Sequence, residues 1–160
     1  MNSLSKLYLE RAENELLLVE TLFQISSKNL LKKQFSLGDE TFYSAVISHS
    51  YYCIFYCAKA ILVEKNIRTK TPNEHKKTYL EFKNLVKSGF IDENLIRIYS
   101  DLMIKAENLL SIFLFEKRKR GKFTYHKLPQ ANQFPAKESI ENASLFFKSI
   151  NNILERCNET

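Results

Sequence analysis

Apolar residues recur along this chain at three- and four-residue steps, the period of an α-helix with one buried face. Over residues 4–25 the apolar set is Leu9, Ala12, Leu16, Val19, Leu22 and Phe23, with Glu10, Glu13 and Glu20 opposite. That pattern predicts a first helix. Residues 26–39 are looser and contain Gly38, and Asp39 is placed to cap a second helix reaching about Asn66. Ala45, Val46, Tyr52, Cys53, Phe55, Tyr56, Ala60, Ile61 and Val63 make this second helix apolar on more than one face. Such a helix is expected at the centre of the fold.

Residues 67–72 read as a basic loop. In Thr71-Pro72-Asn73-Glu74, Thr71 can cap a third helix, Pro72 suits its first position and Glu74 can complete a capping box. This helix is expected to run to Ser88 and to stop at Gly89. Asp92 can cap a fourth helix, with Ile91 and Ile96 as a hydrophobic staple. Its stripe is Leu95, Ile98, Tyr99, Leu102, Ala106, Leu109, Leu110 and Phe113, and it fades near Lys119. A long polar connection follows, with Gly121 and Pro129, and connections of that length are often functional. A fifth helix from Pro135 to Arg156 carries Ile140, Ala143, Leu145, Phe146, Phe147, Ile150, Ile153 and Leu154. No strand shows convincing alternation. The expectation is one all-α domain over residues 1–160, an antiparallel bundle of about five helices.

Composition narrows this further. The 160 residues include only 3 Gly and 3 Pro, too few turn residues for an all-β or doubly wound α/β fold. Three cysteines, Cys53, Cys57 and Cys157, have no disulfide-framework spacing and suit a reducing compartment. No apolar run approaches the ~20 residues of a bilayer span, since Lys59 interrupts the stretch from Tyr51 to Val63. The Met-Asn-Ser-Leu-Ser-Lys start lacks a signal-peptide core. A cytoplasmic protein without membrane contact is expected.

Charge changes the picture once it is located. The net charge is +6, yet residues 117–137 alone carry Lys117, Arg118, Lys119, Arg120, Lys122, Lys127 and Lys137 with no acid. That segment is +7, so the rest of the chain sums to −1. A smaller basic stretch holds Lys65, Arg68, Lys70, Lys76 and Lys77 against Glu74. Such clusters are the electrostatic footprint of a phosphate-bearing ligand, RNA or a nucleotide. The bland alternative is a solvated helix end that suits the macrodipole.

Candidate chemistry is sparse. His49, Cys53 and Cys57 share a helical face at four-residue steps, but the face is apolar, so they are expected to be buried structural residues. No metal site and no cofactor are implied. There is no Gly-rich phosphate loop and no nucleophile elbow. What remains is Arg120-Gly121-Lys122-Phe123-Thr124-Tyr125-His126. A histidine moves protons near neutral pH, and an arginine fork holds phosphate. Together they can cleave RNA without a metal. His126 would deprotonate the ribose 2′-OH or protonate the leaving 5′-oxygen, and Arg120 would stabilise the phosphorane. One chain supplies one such His, so a symmetric dimer would supply the second proton-transfer group. Arg68 and His75 have a similar spacing, and His75 has an ordinary role facing solvent in the first turn of the third helix.

The run from Tyr51 to Leu62, Tyr-Tyr-Cys-Ile-Phe-Tyr-Cys-Ala-Lys-Ala-Ile-Leu, resembles the second-helix signature of HEPN domains. Ala12-Glu13, His75 followed by Phe82, the Lys87-Ser88-Gly89 turn, the Arg-rich segment before Tyr125, and Pro135-Ala136-Lys137-Glu138-Ser139-Ile140 fit the same pattern over about residues 5–155. The resemblance implies a bundle of four or five helices, usually dimeric. It implies a metal-independent endoribonuclease using Arg-x(4–6)-His, acting as a toxin in a toxin–antitoxin pair or in phage defence. Carried over, Arg120 and His126 are the catalytic pair, and Arg118 and Tyr125 flank the cleft. Lys119, Lys122 and Lys127 complete the RNA- or nucleotide-binding set. Active members usually have a polar residue directly after the Arg, where this chain has Gly121. A second reading therefore stays open: a non-catalytic nucleotide- or partner-binding module working with a nucleotidyltransferase-type antitoxin.

Overall fold

A computed structural model describes residues 1–119 and 133–157, with side chains described for 1–110 and 133–157. It is an all-α bundle: α1 (Ser3–Ser27), α2 (Asn29–Gln34), α3 (Tyr43–Glu64), α4 (Glu74–Lys87), α5 (Glu93–Lys119) and α6 (Gln133–Arg156). The five expected helices are present. The looser stretch after α1 adds the six-residue α2, which buries none of its residues and so left no apolar period to read.

The core is built around α3. Val46, Cys53, Ile54, Cys57, Ala58, Ala60 and Ile61 are fully enclosed by α1, α4, α5 and α6. This helix is long and apolar enough to cross a membrane, but 78% of its most apolar window is buried inside the bundle. The helix-long apolar stretch is therefore core. Small residues let α1 lie close along it: Ala12 is fully buried, and Ser5 Oγ donates to the carbonyl of Ala60 at 2.9 Å. On the far side, Phe82 of α4, Tyr99 of α5 and Phe146 of α6 interlock with ring centroids 5.3–6.0 Å apart, an arrangement favoured by edge-to-face and offset geometry. A second cluster, Val19, Tyr43, Val46, Ile47 and Ala136, seals the start of α3, with Leu109 and Ile140 against it.

The helix ends show which capping expectations hold. Asp92 accepts from the backbone N–H of Asn94 at 2.7 Å at the start of α5, and Ile91 and Ile96 are drawn toward the core. Gly89 follows α4 with φ +77°, a conformation glycine adopts without strain. Asp39 is not a cap: α3 starts at Tyr43, and the backbone N–H of Phe42 is taken by Ser26 Oγ of α1 at 2.8 Å. Nor does Thr71 cap α4. The helix starts at Glu74 after Asn73 in a left-handed conformation, and Glu74 turns inward instead of closing a capping box. Leu110 and Leu145, expected in buried stripes, are exposed at the margins of theirs.

Candidate functional site

The basic connection joins α5 to α6. Arg118 and Lys119 lie in the last described turn of α5, and Lys137 lies in the first turns of α6, where it pairs with Glu141 at 3.9 Å. Arg120, Lys122, Tyr125, His126 and Lys127 lie outside the described residues. Leu109 in α5 and Ala136 in α6 pack by Tyr43 and Val46, at the start of α3. The smaller basic loop follows the other end of α3, some 33 Å away for a helix of 22 residues.

That second end contains the most organised polar group of the described residues. The Lys59 side chain is 5% exposed. Its ammonium donates to the Thr69 carbonyl at 2.7 Å, to Thr69 Oγ1 at 3.1 Å and to the Glu74 carboxylate at 2.5 Å. Thr78 Oγ1 lies 2.7 Å from Thr69 Oγ1 and is itself buried. A buried cation is tolerated only when paired and hydrogen-bonded, and these partners meet that need. The lone lysine in the apolar run of α3 was the visible signal, and Glu74 its partner one helix later.

Next to this group sits His75. It is exposed in the first turn of α4, as expected, but one side of its ring is covered. Its ring lies 4.1 Å from Phe55 at an interplanar angle of 21°, and its Nδ1 is 2.9 Å from the Tyr51 hydroxyl. Burial pushes its pKa below the ordinary histidine value; Glu74 pulls it up and Lys59 pushes it down. Burial, with Glu107 and Tyr52 nearby, raises the Tyr51 phenol far above its usual range, so that hydroxyl stays protonated. The folded chain thus disfavours His75⁺. The unfolded state binds the proton more readily, so stability is full above pH 6.5 and falls as pH drops from there toward the folded pKa. In an NMR titration, His75 should have a pKa below 6.5 in the native protein and near 6.5 in urea; a native value at or above 6.5 contradicts this.

The His49, Cys53 and Cys57 stripe divides. Cys53 and Cys57 are fully buried as expected, and burial together with Cys53 pushes the Cys57 thiol well up, away from reactive thiolate. His49 is the correction. It is half-exposed, and its Nδ1 meets the Glu15 carboxylate of α1 at 2.6 Å, because the stripe rotates out of the core toward the start of α3. Among the described residues, no three His, Cys, Asp or Glu side chains gather as a metal set.

An open pocket of about 310 Å³ lies between the start of α1, the end of α3 and the 65–73 loop. Tyr8, Lys59, Arg68, Lys70 and Glu74 supply its polar lining, and Leu4 and Val63 its apolar wall. Charge location in the sequence pointed to this loop, but not to the concavity, which needs α1 to close it.

The chain is 30% identical over 92 residues to a protein of Methanocaldococcus jannaschii named "Putative toxin MJ0605". The match covers 57% of this chain and 63% of that protein, less than two thirds of its length. The model of the HEPN domain family matches residues 19–153, which takes in the end of α1, all of α2 to α5, the whole basic connection and most of α6. On that extent of match, this chain belongs to the HEPN domain family.

Proposed function

We propose that this protein is a toxin-type, metal-independent endoribonuclease that acts on cytoplasmic RNA as a homodimer. The observation that carries the reading is the placement of charge: the chain's entire positive surplus lies in one segment of a HEPN domain. The name of the M. jannaschii relative supports a toxin role. In this reading the Arg120 guanidinium grips the scissile phosphate with two parallel N–H donors. His126 takes the 2′-OH proton or returns one to the departing 5′-oxygen. Two copies of the chain supply one His126 for each task. Arg118 and Tyr125 flank the cleft, while Lys119, Lys122 and Lys127 neutralise neighbouring phosphates. A nucleotidyltransferase-type antitoxin would be the partner that restrains it.

The test is direct. Purified protein incubated with single-stranded RNA in excess EDTA should cut it, and RNA left intact over hours would contradict the reading. Gly121, directly after Arg120, favours a second reading, because a glycine there weakens the helix that would align Arg120 with His126. A non-catalytic module of that kind would bind RNA or ATP through residues 117–127 and leave the RNA whole.

A further inference from the structure

Tyr8 lines the pocket at the end of α3 and also begins a row of rings across three helices. Its centroid is 6.3 Å from that of Tyr56 at 18°, and Tyr56 is 6.5 Å from Tyr52 at 29°. Tyr52 then meets His75 edge-on at 6.0 Å. Tyr8 and Tyr56 are half-buried, and Tyr52 is 38% exposed. Arg11 lies over Tyr56 at 5.9 Å. Lys59 lies over Tyr8 at 5.3 Å, and Phe55 and Tyr51 pack against Tyr56 and Tyr52.

The pocket at its end is electrostatically unbalanced. Lys59 and Glu74 cancel each other. Arg68 and Lys70, both exposed, have no acidic partner among the described residues. A concavity with two unpaired cations selects an anion, and planar phenols beside it select flat aromatic groups. An arginine fork and a lysine ammonium both take phosphate, and tyrosine faces take bases irrespective of sequence. Two uncompensated cations at the edge of an aromatic row favour a polyanion with flat bases over a neutral or basic protein surface.

We propose that this pocket and ring row form a binding track for single-stranded RNA. Arg68 and Lys70 hold a backbone phosphate, and the adjoining unpaired bases stack on Tyr8, Tyr56 and Tyr52. The track rests on the ribonuclease reading only in taking RNA as the polymer. Its residues are separate from Arg120 and His126, and it positions substrate rather than reacting with it.

The experiment measures fluorescence anisotropy of a 5′-fluorescein 12-nucleotide oligoadenylate in EDTA, with the full chain in a His126→Ala background so that the probe persists. Replacing Tyr52 and Tyr56 together with alanine should weaken binding roughly ten- to a hundred-fold, and replacing both with phenylalanine should keep it within about twofold. Arg68→Ala with Lys70→Ala should weaken binding and lower the salt slope by roughly 0.7, the value for one lost phosphate contact to a single strand. Equal melting temperatures across the variants separate binding from folding. Wild-type affinity in the alanine pair, or no binding of the probe at all, overturns the track. So does a light-scattering result in which the alanine pair loses a dimer while RNA affinity stays unchanged, since a second copy would then cover the row. Tyrosine-independent binding by a protein that cuts RNA leaves the ribonuclease reading standing without the track. Tyrosine-dependent binding by a protein that cuts nothing leaves the track standing without that reading.

Discussion

His126→Ala is expected to lower the rate of RNA cleavage by about 10²- to 10⁴-fold, the range seen when a positioned acid–base group is removed. Affinity for RNA should change little, because one imidazole adds little to a segment carrying +7. Arg120→Ala should have a comparable effect on rate, since it removes the donor aimed at charge that develops on the phosphorane. Arg120→Lys should recover only part of it, because an ammonium cannot reproduce the planar two-point contact. The dimer makes a stronger version available. Mixing His126→Ala chains with Arg120→Ala chains should restore some cutting if one composite cleft draws Arg and His from different copies. Equal cutting by wild type and His126→Ala would remove His126 from the mechanism.

Glu74→Ala is expected to produce the largest loss of stability among the single ion-pair variants. It strands the Lys59 ammonium, which is 5% exposed, with the Thr69 oxygens and the Tyr8 ring face but no anion. Breaking a buried pair from one side costs about 3–5 kcal/mol, and the partial exposure of Glu74 places this pair near about 3 kcal/mol. For a chain of this length that corresponds to a fall in Tm of roughly 6–12 °C. The double variant Lys59→Met with Glu74→Ala should recover most of the loss, because the apolar side chain needs no partner in the core of α3. The exposed Lys137–Glu141 pair is the control; its removal should stay within about 0.5 kcal/mol. A Glu74→Ala protein that melts with the wild type would mean that Lys59 finds another anion or water.

How legible the molecule was depends on which force placed each residue. Helices with a one-sided apolar period, such as α1 and α5, could be read because burial alone defines them. Asp92 and Gly89 could be read because a cap is a local device that acts within a few residues. Asp39 and Thr71 misled for the same reason. Both satisfy the local rule, but tertiary partners decided the outcome: Ser26 of α1 takes the N–H of Phe42, and Lys59 of α3 draws Glu74 inward. Helix α2 was invisible because it buries nothing. The site divides in the same way. Positive charge along the chain picked out the 65–77 stretch beside the pocket, while the pair expected at Arg120 and His126 lies outside the described residues. The setting of His75 against Phe55 and Tyr51, and the tyrosine row, needed three helices brought side by side, which no spacing within one segment encodes.

The ends of the cut RNA test the central claim most directly. Attack by the ribose 2′-oxygen, with His126 moving the proton and the 5′-oxygen leaving, makes a definite pair of products. Mass spectrometry of a short single-stranded RNA cleaved in EDTA should show a 2′,3′-cyclic phosphate on the upstream fragment and a free 5′-hydroxyl on the downstream one. A 5′-phosphate with a free 3′-hydroxyl, or cleavage that appears only when a divalent metal is added, would contradict it.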